Sequence, residues 1–447
     1  MDTIFIQIAS YRDPELVPTI SDSLKKASYP DRLRYGICWQ HAKEDKWDNL
    51  DAYTSDPRFR IMDVPWKESK GLGWARHRTQ TLWKGETYTL QIDSHHRFIQ
   101  GWDEELITMF HQTGSKKPII TSYAAPYTPG EPLVDTTPYK MVGTTFSSYG
   151  TILFYPHAIH NANTLTQPIP GRFVSGHFFF TLGQHCHEYK YDPEIYFAGD
   201  EISLSIRSFT LGYDIFHPHK VVLWHEYIRS KSKKHWDDFD ANSKQNGKTD
   251  EAWHELDEKS KARLRQMLRE EDNNVNLGLY SLGHVRSHAD YEHYAGISFK
   301  HRKLHPNTMA GIPPPVNVPV EEWLKGEQKY TLPLRLPSSP GLFDYIYIGI
   351  ETKEGKDLYH QQITNYQPII TVEFTSTEIP YKWIFWPFRG SWQTKTEIVL
   401  GETSESLWEL YSSPLQRSEA PMQCAIEQIL SSKNQCVPVQ SKLYQRM

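Results

Sequence analysis

Cysteine is scarce in this sequence. The 447 residues include four cysteines (Cys38, Cys186, Cys424 and Cys436), and no two of them have the spacing of a CxxC motif. We therefore expect neither a disulfide framework nor a zinc or redox site of that type. Long apolar runs are also missing, since no stretch approaches the roughly 18 apolar residues that a membrane helix needs. The sequence therefore predicts a protein without a membrane span.

Neither sign of charge dominates the chain. It has 49 Lys and Arg residues against 54 Asp and Glu residues, which gives a net charge of −5. This balance provides no electrostatic reason to expect a nucleic acid or an anionic membrane surface as a partner. Residues 1–8 look like the start of a strand and contain neither the basic region nor the apolar region of a secretory signal. The sequence thus predicts a cytoplasmic location.

The first 230 residues alternate between strand-like and helix-like segments. Short apolar runs predict strands at residues 4–9, 34–40, 59–64 and 87–93. Helical patterns lie between these runs, and Asp103 and Asp200 are candidate N-caps for two of the helices. Strands that alternate with helices predict an α/β fold with a mostly parallel central sheet.

The composition changes after about residue 235. Residues 250–271 predict a charged, solvent-facing helix, and the Gly and Pro residues at 311–315 predict a linker. Short aromatic and β-branched runs then predict a small β-sandwich; they lie at residues 329–336, 345–351, 368–374 and 383–386. The predicted parts are residues 1–300, a linker at 301–325, a β-rich accessory domain at 326–403, and a C-terminal helix or tail at 404–447.

An acid and a histidine follow the strand predicted at residues 87–93. In open parallel sheets ligands bind at the carboxyl ends of the strands, where Asp93 and His95 are expected. A carboxylate with an imidazole suits Mn²⁺ and tolerates Mg²⁺. Such an ion would neutralise the diphosphate that leaves a nucleotide sugar. His225, after a later apolar strand, could complete the site, whereas His96 should point away on an extended strand.

Two further groups of polar residues have a mechanistic and a purely structural interpretation. Glycines followed by Arg76 and Arg78 lie at a predicted helix start and could hold donor phosphates or the sugar, although a surface helix would have the same pattern. Asp200 and Glu201 could hold a sugar hydroxyl or position an acceptor, or Asp200 could be only a helix cap. The Asp93–His95 tripeptide alone is likewise compatible with a buried polar pair.

Taken together, the motifs resemble the family 60 glycosyltransferases, cytosolic N-acetylglucosaminyltransferases typified by those that modify hydroxyproline on a ubiquitin-ligase adaptor. The resemblance covers roughly residues 3–300. More distantly, the chain is similar to the mucin-type polypeptide N-acetylgalactosaminyltransferases. The motifs are Asp93-Ser-His95, Gly101-Trp-Asp103, Phe173-Val-Ser-Gly176, Phe197-Ala-Gly-Asp200-Glu201, Trp224-His225-Glu-Tyr227, the opening Ala9-Ser-Tyr-Arg12-Asp13, and Leu282-Gly-His-Val-Arg286 with Tyr291.

This resemblance implies a GT-A fold, a UDP-sugar donor such as UDP-N-acetylglucosamine, and a retaining reaction. It implies three groups of site residues: Asp93, His95 and His225 as ligands of Mn²⁺ or Mg²⁺; Asp200 and Glu201 as the acidic catalytic motif; and Arg12, Asp13, Arg76, Trp102, Asp103 and Gly176 as substrate-binding positions. Within that last group, Arg12 and Asp13 would lie near the nucleotide, and Arg76 near the diphosphate or sugar.

The acceptor and the exact mechanism stay open at this level. A hydroxyl on a protein or on a glycan would serve, and a non-catalytic carbohydrate-binding module is the alternative class. A retaining reaction can use a protein carboxylate in a double displacement or a front-face departure in which the leaving diphosphate deprotonates the acceptor. Because no acid is clearly placed as a nucleophile, we favour the second route. Trp383, Trp386 and Trp392 could stack on sugars, but core packing is the expected role for most of them.

Overall fold

The computed structural model describes residues 2–47, 49–147, 149–229, 232–270, 273–337, 339–400 and 412–413. The chain divides into two compact units, of which the first comprises Met1–Thr145 and Thr151–Val320 and the second Phe146–Gly150 and Glu321–Met447. The helix or tail predicted at residues 404–447 lies outside the described residues, apart from the short strand at 412–413. Among the described residues, none of the helices has the length and apolar content to cross a membrane.

The strands of the first unit are mostly short apolar runs. They are β1 (Ile4–Tyr11), β2 (Leu33–His41), β3 (Phe59–Pro65), β4 (Tyr88–Ile92), β5 (His96–Phe98), β6 (Pro118–Thr121), β7 (Ala125–Pro126), β8 (Tyr139–Phe146), β9 (Ile152–Ala158), β10 (Ile169–Pro170), β11 (Phe178–Leu182), β12 (Asp214–His217), β13 (Leu223–His225), β14 (Ile297–Ser298) and β15 (Lys303–Leu304).

The helices lie between these strands and continue beyond them. They are α1 (Leu16–Lys26), α2 (Leu72–Gln80), α3 (Trp102–Gln112), α4 (His185–Glu188), α5 (Asp200–Thr210), α6 (His235–Asp238), α7 (Ala241–Gln245), α8 (Trp253–Met267), α9 (His288–Ala295), α10 (Pro306–Met309) and α11 (Val320–Trp323). Both β15 and α10 fall inside the range where the sequence predicts a linker, and the first unit continues through them to Val320.

Eight strands form the central sheet in the order β10-β12-β6-β11-β4-β1-β2-β3. Strands β4, β1, β2 and β3 are parallel, and β12 is parallel to β6. Two strands run the other way, β11 between β4 and β6 and β10 beside β12. The predicted α/β class with a mainly parallel sheet is therefore confirmed, with two antiparallel strands that the sequence pattern did not reveal.

The parallel arrangement of β1 and β4 decides where the polar motifs meet. Both strands are almost completely buried, and their side chains contribute to the main apolar core. Because they run in the same direction in register, Ile8 beside Ile92, the residues that follow them emerge at one edge of the sheet. Beyond this edge, β13 pairs with β5 and β7 in a small sheet, with His225 directly opposite His96.

Two predicted helix caps are wrong. Helix α3 begins at Trp102 with Gly101 as its N-cap, and α5 begins at Asp200 with Gly199 as its N-cap. Both glycines have positive φ angles, 74° and 84°, a conformation that a residue with a Cβ rarely adopts. The acids predicted as caps, Asp103 and Asp200, are therefore one or two positions inside the helix, which leaves their carboxylates free for other partners.

The second unit consists of short antiparallel strands in two sheets. It contains β16 (Gln328–Arg335), β17 (Tyr345–Glu351), β18 (Asp357–Ile363), β19 (Ile369–Ser376), β20 (Lys382–Arg389), β21 (Ser391–Trp392), β22 (Thr396–Val399) and β23 (Ser412–Ser413). One sheet has the order β19-β16-β23, and the other has β18-β17-β20-β21 with β22 also on β20. Side chains from β16, β17, β19 and β20 share one apolar core, which includes Trp383, whereas Trp386 and Trp392 are half-buried and stack at 4.2 Å.

Candidate active site

The three predicted metal ligands converge in the structure. Asp93 follows β4, His95 precedes β5, and His225 ends β13. One ligand atom from each lies within 4.8 Å of the others, and Oδ2 of Asp93 is 3.7 Å from Nε2 of His95 and 3.5 Å from Nε2 of His225. This group comes from two segments, the Asp93–His95 turn between β4 and β5 and the end of β13, and the folded sheet edge brings His225 to the other two.

The electrostatics of His225 and Asp93 suit a divalent cation. Burial, the neighbouring His177 and the other histidines of the site hold the pKa of His225 well below its usual value, so its imidazole is neutral. Burial alone would raise the pKa of Asp93, but the interaction with His225, whose Nε2 is 3.5 Å from Oδ2, and the charge of Arg76 outweigh it and hold that pKa well below its usual range. An ionised carboxylate and a neutral imidazole are the protonation states that a metal requires.

A buried carboxylate orients the second candidate ligand. Asp13, in the loop after β1, is 0% exposed, and its Oδ2 accepts a hydrogen bond of 2.7 Å from Nδ1 of His95. With its Nδ1 committed to this bond, His95 presents Nε2 to Asp93, the arrangement found around metal-bound histidines. The residues present therefore fit a divalent ion. Asp13 thus contacts a candidate metal ligand, and its predicted place near the nucleotide stays a prediction.

Arg76 bridges the predicted metal ligand and the predicted acidic pair. This guanidinium is 3% exposed; Nη2 bonds to Oδ1 of Asp93 at 3.1 Å, and Nη1 bonds to Oδ2 of Asp200. Burial raises the pKa of Asp200, and Asp93 adds to this effect while Arg76 opposes it. Arg76 therefore neutralises two carboxylates that would otherwise repel each other across the site.

Glu201 is held by a different set of donors. Its Oε2 accepts a hydrogen bond of 2.7 Å from the Tyr123 hydroxyl, and its Oε1 accepts one of 3.0 Å from the backbone N–H of Gly176. Burial raises the pKa of Glu201 to about 7, against the opposing effect of these two donors. A carboxylate that titrates near neutrality can act as a proton acceptor or donor at physiological pH.

Gly176 is placed where a side chain would disturb the ion pair. A Cβ at this position would lie 2.7 Å from Oδ2 of Asp200 and 2.8 Å from Nη1 of Arg76. The backbone carbonyl of Gly176 accepts a bond of 2.7 Å from Nε2 of Gln91 on β4. Gly176 therefore contributes a close backbone approach at the site, and the structure gives a physical reason for glycine here.

Two more histidines surround the metal candidates, and sequence reasoning missed their placement. The His177 ring stacks on that of His225 with centroids 4.2 Å apart, and burial lowers the pKa of His177 to about 3. His96 is 0% exposed, and its ring lies 4.8 Å from that of His225. His96 pairs with His225 across β5 and β13 but is not part of the Asp93–His95–His225 group, so its place as the weaker ligand candidate stays a prediction.

Other predicted substrate-binding residues have structural partners. Trp102 is 0% exposed and donates its indole N–H to the carbonyl of Ser23 at 2.9 Å. The carboxylate of Asp103 accepts from the backbone N–H groups of Ser28 and Tyr29, at 2.8 and 2.9 Å. Trp102 thus bonds to α1 and Asp103 to the segment after it, and none of these partners is a predicted site residue.

Arg12, the last of the predicted substrate-binding residues, lies at the sheet edge but is fully engaged. Its guanidinium makes two bonds to Asp45, at 2.7 and 2.8 Å, and a third to Asp238 at 3.0 Å. Its backbone has a positive φ of 46°. Through these contacts Arg12 connects the loop after β1 to Asp45 and to Asp238 of α6.

The sheet edge, with a candidate cation-binding triad beside an arginine and two acids, suits an enzyme that handles an anionic substrate. Among family models, the one described as Glycosyltransferase (GlcNAc) matches residues 3–59 and 52–301. The match covers more than half of the chain, so the chain belongs to this family and is a glycosyltransferase. No curated protein matches it significantly.

Several solved structures show weaker likeness. The crystal structure of GalNAc-T7 with UDP, GalNAc and Mn²⁺ has 14% identity and a TM-score of 0.38 over 50% of this chain and 43% of that chain. The crystal structure of S. aureus TarS 1-349 has 10% identity, and its complex with UDP has 11%. Both TarS structures have a TM-score of 0.33 over 50% of this chain and 60% of that chain. The chain thus matches less than two thirds of the length of each.

Proposed function

We propose that this glycosyltransferase transfers N-acetylglucosamine from UDP-N-acetylglucosamine to a hydroxyl acceptor, with retention of configuration, in a GT-A-like first unit that works in the cytoplasm. The observation that carries the proposal is the convergence of Asp93, His95 and His225 within 4.8 Å at the carboxyl edge of the sheet. The family description supports the sugar. The second unit, with two sheets around one core, would be a β-sandwich-like accessory domain.

The proposed ion, Mn²⁺ or Mg²⁺, would neutralise the diphosphate that leaves the sugar. The protein residues set up its site. Asp13 fixes the orientation of His95, while the stack of His177 on His225 restricts the third ligand. Arg76 supplies the nearest buried positive charge, 3.1 Å from Asp93, and so keeps that carboxylate ionised and in place.

The positions of the two acids support a front-face departure of the diphosphate. Asp200 is engaged by the buried Arg76, and Glu201 by Tyr123 and the Gly176 N–H. A nucleophile for a double displacement needs an oxygen free to attack the sugar, whereas both oxygens of Glu201 accept hydrogen bonds and the Asp200 carboxylate is paired with Arg76. We assign Asp200 and Glu201 to holding sugar hydroxyls and the acceptor, with the leaving diphosphate taking the acceptor proton.

Exposed aromatic side chains flank the acidic pair and support an acceptor site there. Phe197, three residues before Asp200, is 51% exposed, and Tyr227, two residues after His225, is 43% exposed. The Phe197 ring meets Trp236 of α6 edge-on, with centroids 5.3 Å apart. Exposed rings at a catalytic edge provide apolar contact for an acceptor, which we propose is a hydroxyl on a protein, with a glycan hydroxyl as the alternative.

A donor panel tests the proposal without knowledge of the acceptor. The full chain is incubated with Mn²⁺ and each of several UDP-sugars, and slow release of UDP is measured. We expect UDP-N-acetylglucosamine to be hydrolysed fastest, with the rate lost in EDTA and restored by Mn²⁺. His225→Ala should abolish release, whereas the control His160→Ala, at an exposed histidine outside the site, should not. Near-normal release in EDTA would refute the metal site, and donor binding without turnover would favour the non-catalytic class.

A further inference from the structure

Asp13 accepts hydrogen bonds from more donors than the single histidine that it would orient for a metal. Its Oδ2 accepts from Nδ1 of His95 and Oγ of Ser94, both at 2.7 Å, and from Nη2 of Arg229 at 3.2 Å. Its Oδ1 accepts from the Glu15 backbone N–H at 3.0 Å and from Oγ of Ser232 at 3.3 Å. The side chain is 0% exposed, so no solvent competes for these bonds.

These donors belong to two parts of the site. Ser94 and His95 are on the metal side, whereas Arg229 and Ser232 come from the post-His225 segment, which we define as residues 226–229 and 232–239. Further along this segment, Asp238 accepts from the Tyr11 hydroxyl at 2.9 Å, and His235 bonds to the Tyr196 hydroxyl at 2.8 Å. The segment thus runs from the metal ligand, past the end of β1, to the turn that precedes α5.

We propose that Asp13 is a positioning residue that links the metal centre to the post-His225 segment, so that occupation of the metal site and anchoring of the segment stabilise each other. This inference rests on the metal site of the proposed function. The same oxygen of Asp13 contacts His95 on one side and Arg229 on the other, and no other described residue bonds to both.

The physical basis is the orientation and charge of one carboxylate. A carboxylate that accepts the Nδ1–H of a ligating histidine fixes its tautomer and raises its basicity, and losing such a partner costs 10–100-fold in metal affinity. A buried carboxylate also needs cationic partners, and Arg229 is the one that the segment supplies. Since coupling between two sites is reciprocal, an ion that strengthens the His95–Asp13 bond also affects the segment that shares the carboxylate.

The decisive variant is Asp13→Asn in the full chain, with two readouts that do not depend on activity. Mn²⁺ affinity is measured by titration calorimetry or by the loss of the free-ion EPR signal. Hydrogen exchange of peptides covering residues 232–239 is measured with and without Mn²⁺. We expect Mn²⁺ affinity to fall about 10–100-fold, and the protection that Mn²⁺ gives these peptides in the wild type to disappear.

Arg229→Gln separates the two sides of the link. It leaves the His95–Asp13 bond in place, so Mn²⁺ affinity should fall less than in Asp13→Asn and by no more than the factor by which Mn²⁺ protects the segment in the wild type, because the coupling is reciprocal. Mn²⁺ should no longer protect residues 232–239. Because it replaces a half-buried surface residue, it also serves as the test if Asp13→Asn does not fold. A matched control is Asp45→Asn, a buried carboxylate at the same edge that pairs with Arg12 and contacts neither His95 nor Arg229; its Mn²⁺ affinity should be unchanged.

The outcomes distinguish this inference from the proposed function. A wild-type chain that binds no Mn²⁺ would refute the metal site itself. A wild-type chain that binds Mn²⁺ with no change in exchange at residues 232–239 would overturn only the link. Equal Mn²⁺ affinity in Asp13→Asn and the wild type would likewise show that Asp13 does not position His95.

Discussion

Replacing Arg76 by methionine should expose the electrostatic basis of the site. In the folded chain Arg76 is the buried cation between Asp93 and Asp200. Methionine has a similar length and no charge, so Arg76→Met removes both bonds with little loss of packing volume. The two carboxylates would then face each other at a mostly buried position without the cation that separates them.

The magnitude follows from the cost of an unpaired buried charge. Breaking a buried ion pair by removing one partner costs about 3–5 kcal/mol. The Asp200 and Arg76 side chains are 6% and 4% exposed, but Asp93 is 26% exposed and can be solvated in part. We therefore expect a loss of about 3 kcal/mol in the free energy of unfolding, the lower end of that range.

The loss should depend on pH and on metal. Burial already raises the pKa of Asp200, and removing Arg76 raises it further, so the folded chain keeps a proton that the unfolded chain releases. A raised pKa in the folded state means that stability is lost as pH rises, so the defect should be larger at pH 8 than at pH 5. Mn²⁺ should restore part of it by pairing with Asp93.

Urea unfolding at pH 5 and pH 8, with and without Mn²⁺, measures these effects. Arg78→Met is the matched control, since Arg78 lies on the same helix, is half-buried, stacks over Trp74 at 4.9 Å and has no ion pair to any acid that the structure describes. It should cost less than about 1 kcal/mol, as do most surface changes. The reasoning would be refuted if Arg76→Met lowered the free energy of unfolding by less than about 1 kcal/mol, or if the loss were larger at pH 5 than at pH 8. Either result would show that Arg76 does not stabilise the two carboxylates.

Two further predictions concern the acidic pair. Gly176→Ala should lower the rate of UDP release at least tenfold with little change in folding, because its Cβ would lie 2.7 Å from Asp200 and force the Arg76 bond to shift; an unchanged rate would mean that this bond is not needed. The rate should rise with pH through about 7 as Glu201 ionises and then level off. Glu201→Gln should remove this rise of the rate with pH. Tyr123→Phe removes a hydrogen-bond donor to the Glu201 carboxylate, so the rise should occur at higher pH.

The sequence predicts where strands lie better than it predicts their order and direction in the sheet. The buried runs before Arg12 and Asp93 were predictable, because apolar patterning marks strands and strand ends mark ligand positions. The antiparallel strand β11 was not, since its run Phe178–Leu182 has the same apolar pattern whichever way it is inserted. His177, directly before that strand, reaches the site only because β11 lies between β4 and β6.

The acids of the motifs show why a sequence position does not fix a role. Three acids, Asp13, Asp93 and Asp103, belong to motifs that carry the family resemblance, and each follows a segment with a strand-like or turn-like pattern. In the structure Asp93 lies among the metal candidates, Asp13 supports one of them, and Asp103 holds the backbone of Ser28 and Tyr29.

The difference between these acids is set by tertiary contacts. Asp93 emerges at the edge where β1 and β4 end together, next to His225 from a strand far away in sequence. Asp103 is turned toward the loop after α1 because its helix begins just after Gly101, the N-cap, whose backbone N–H donates to the carbonyl of Lys26 at 2.7 Å. Periodicity and motif spacing carry no information about such long-range pairs, so a motif places an acid at an edge, and the neighbours that the fold supplies decide its chemistry.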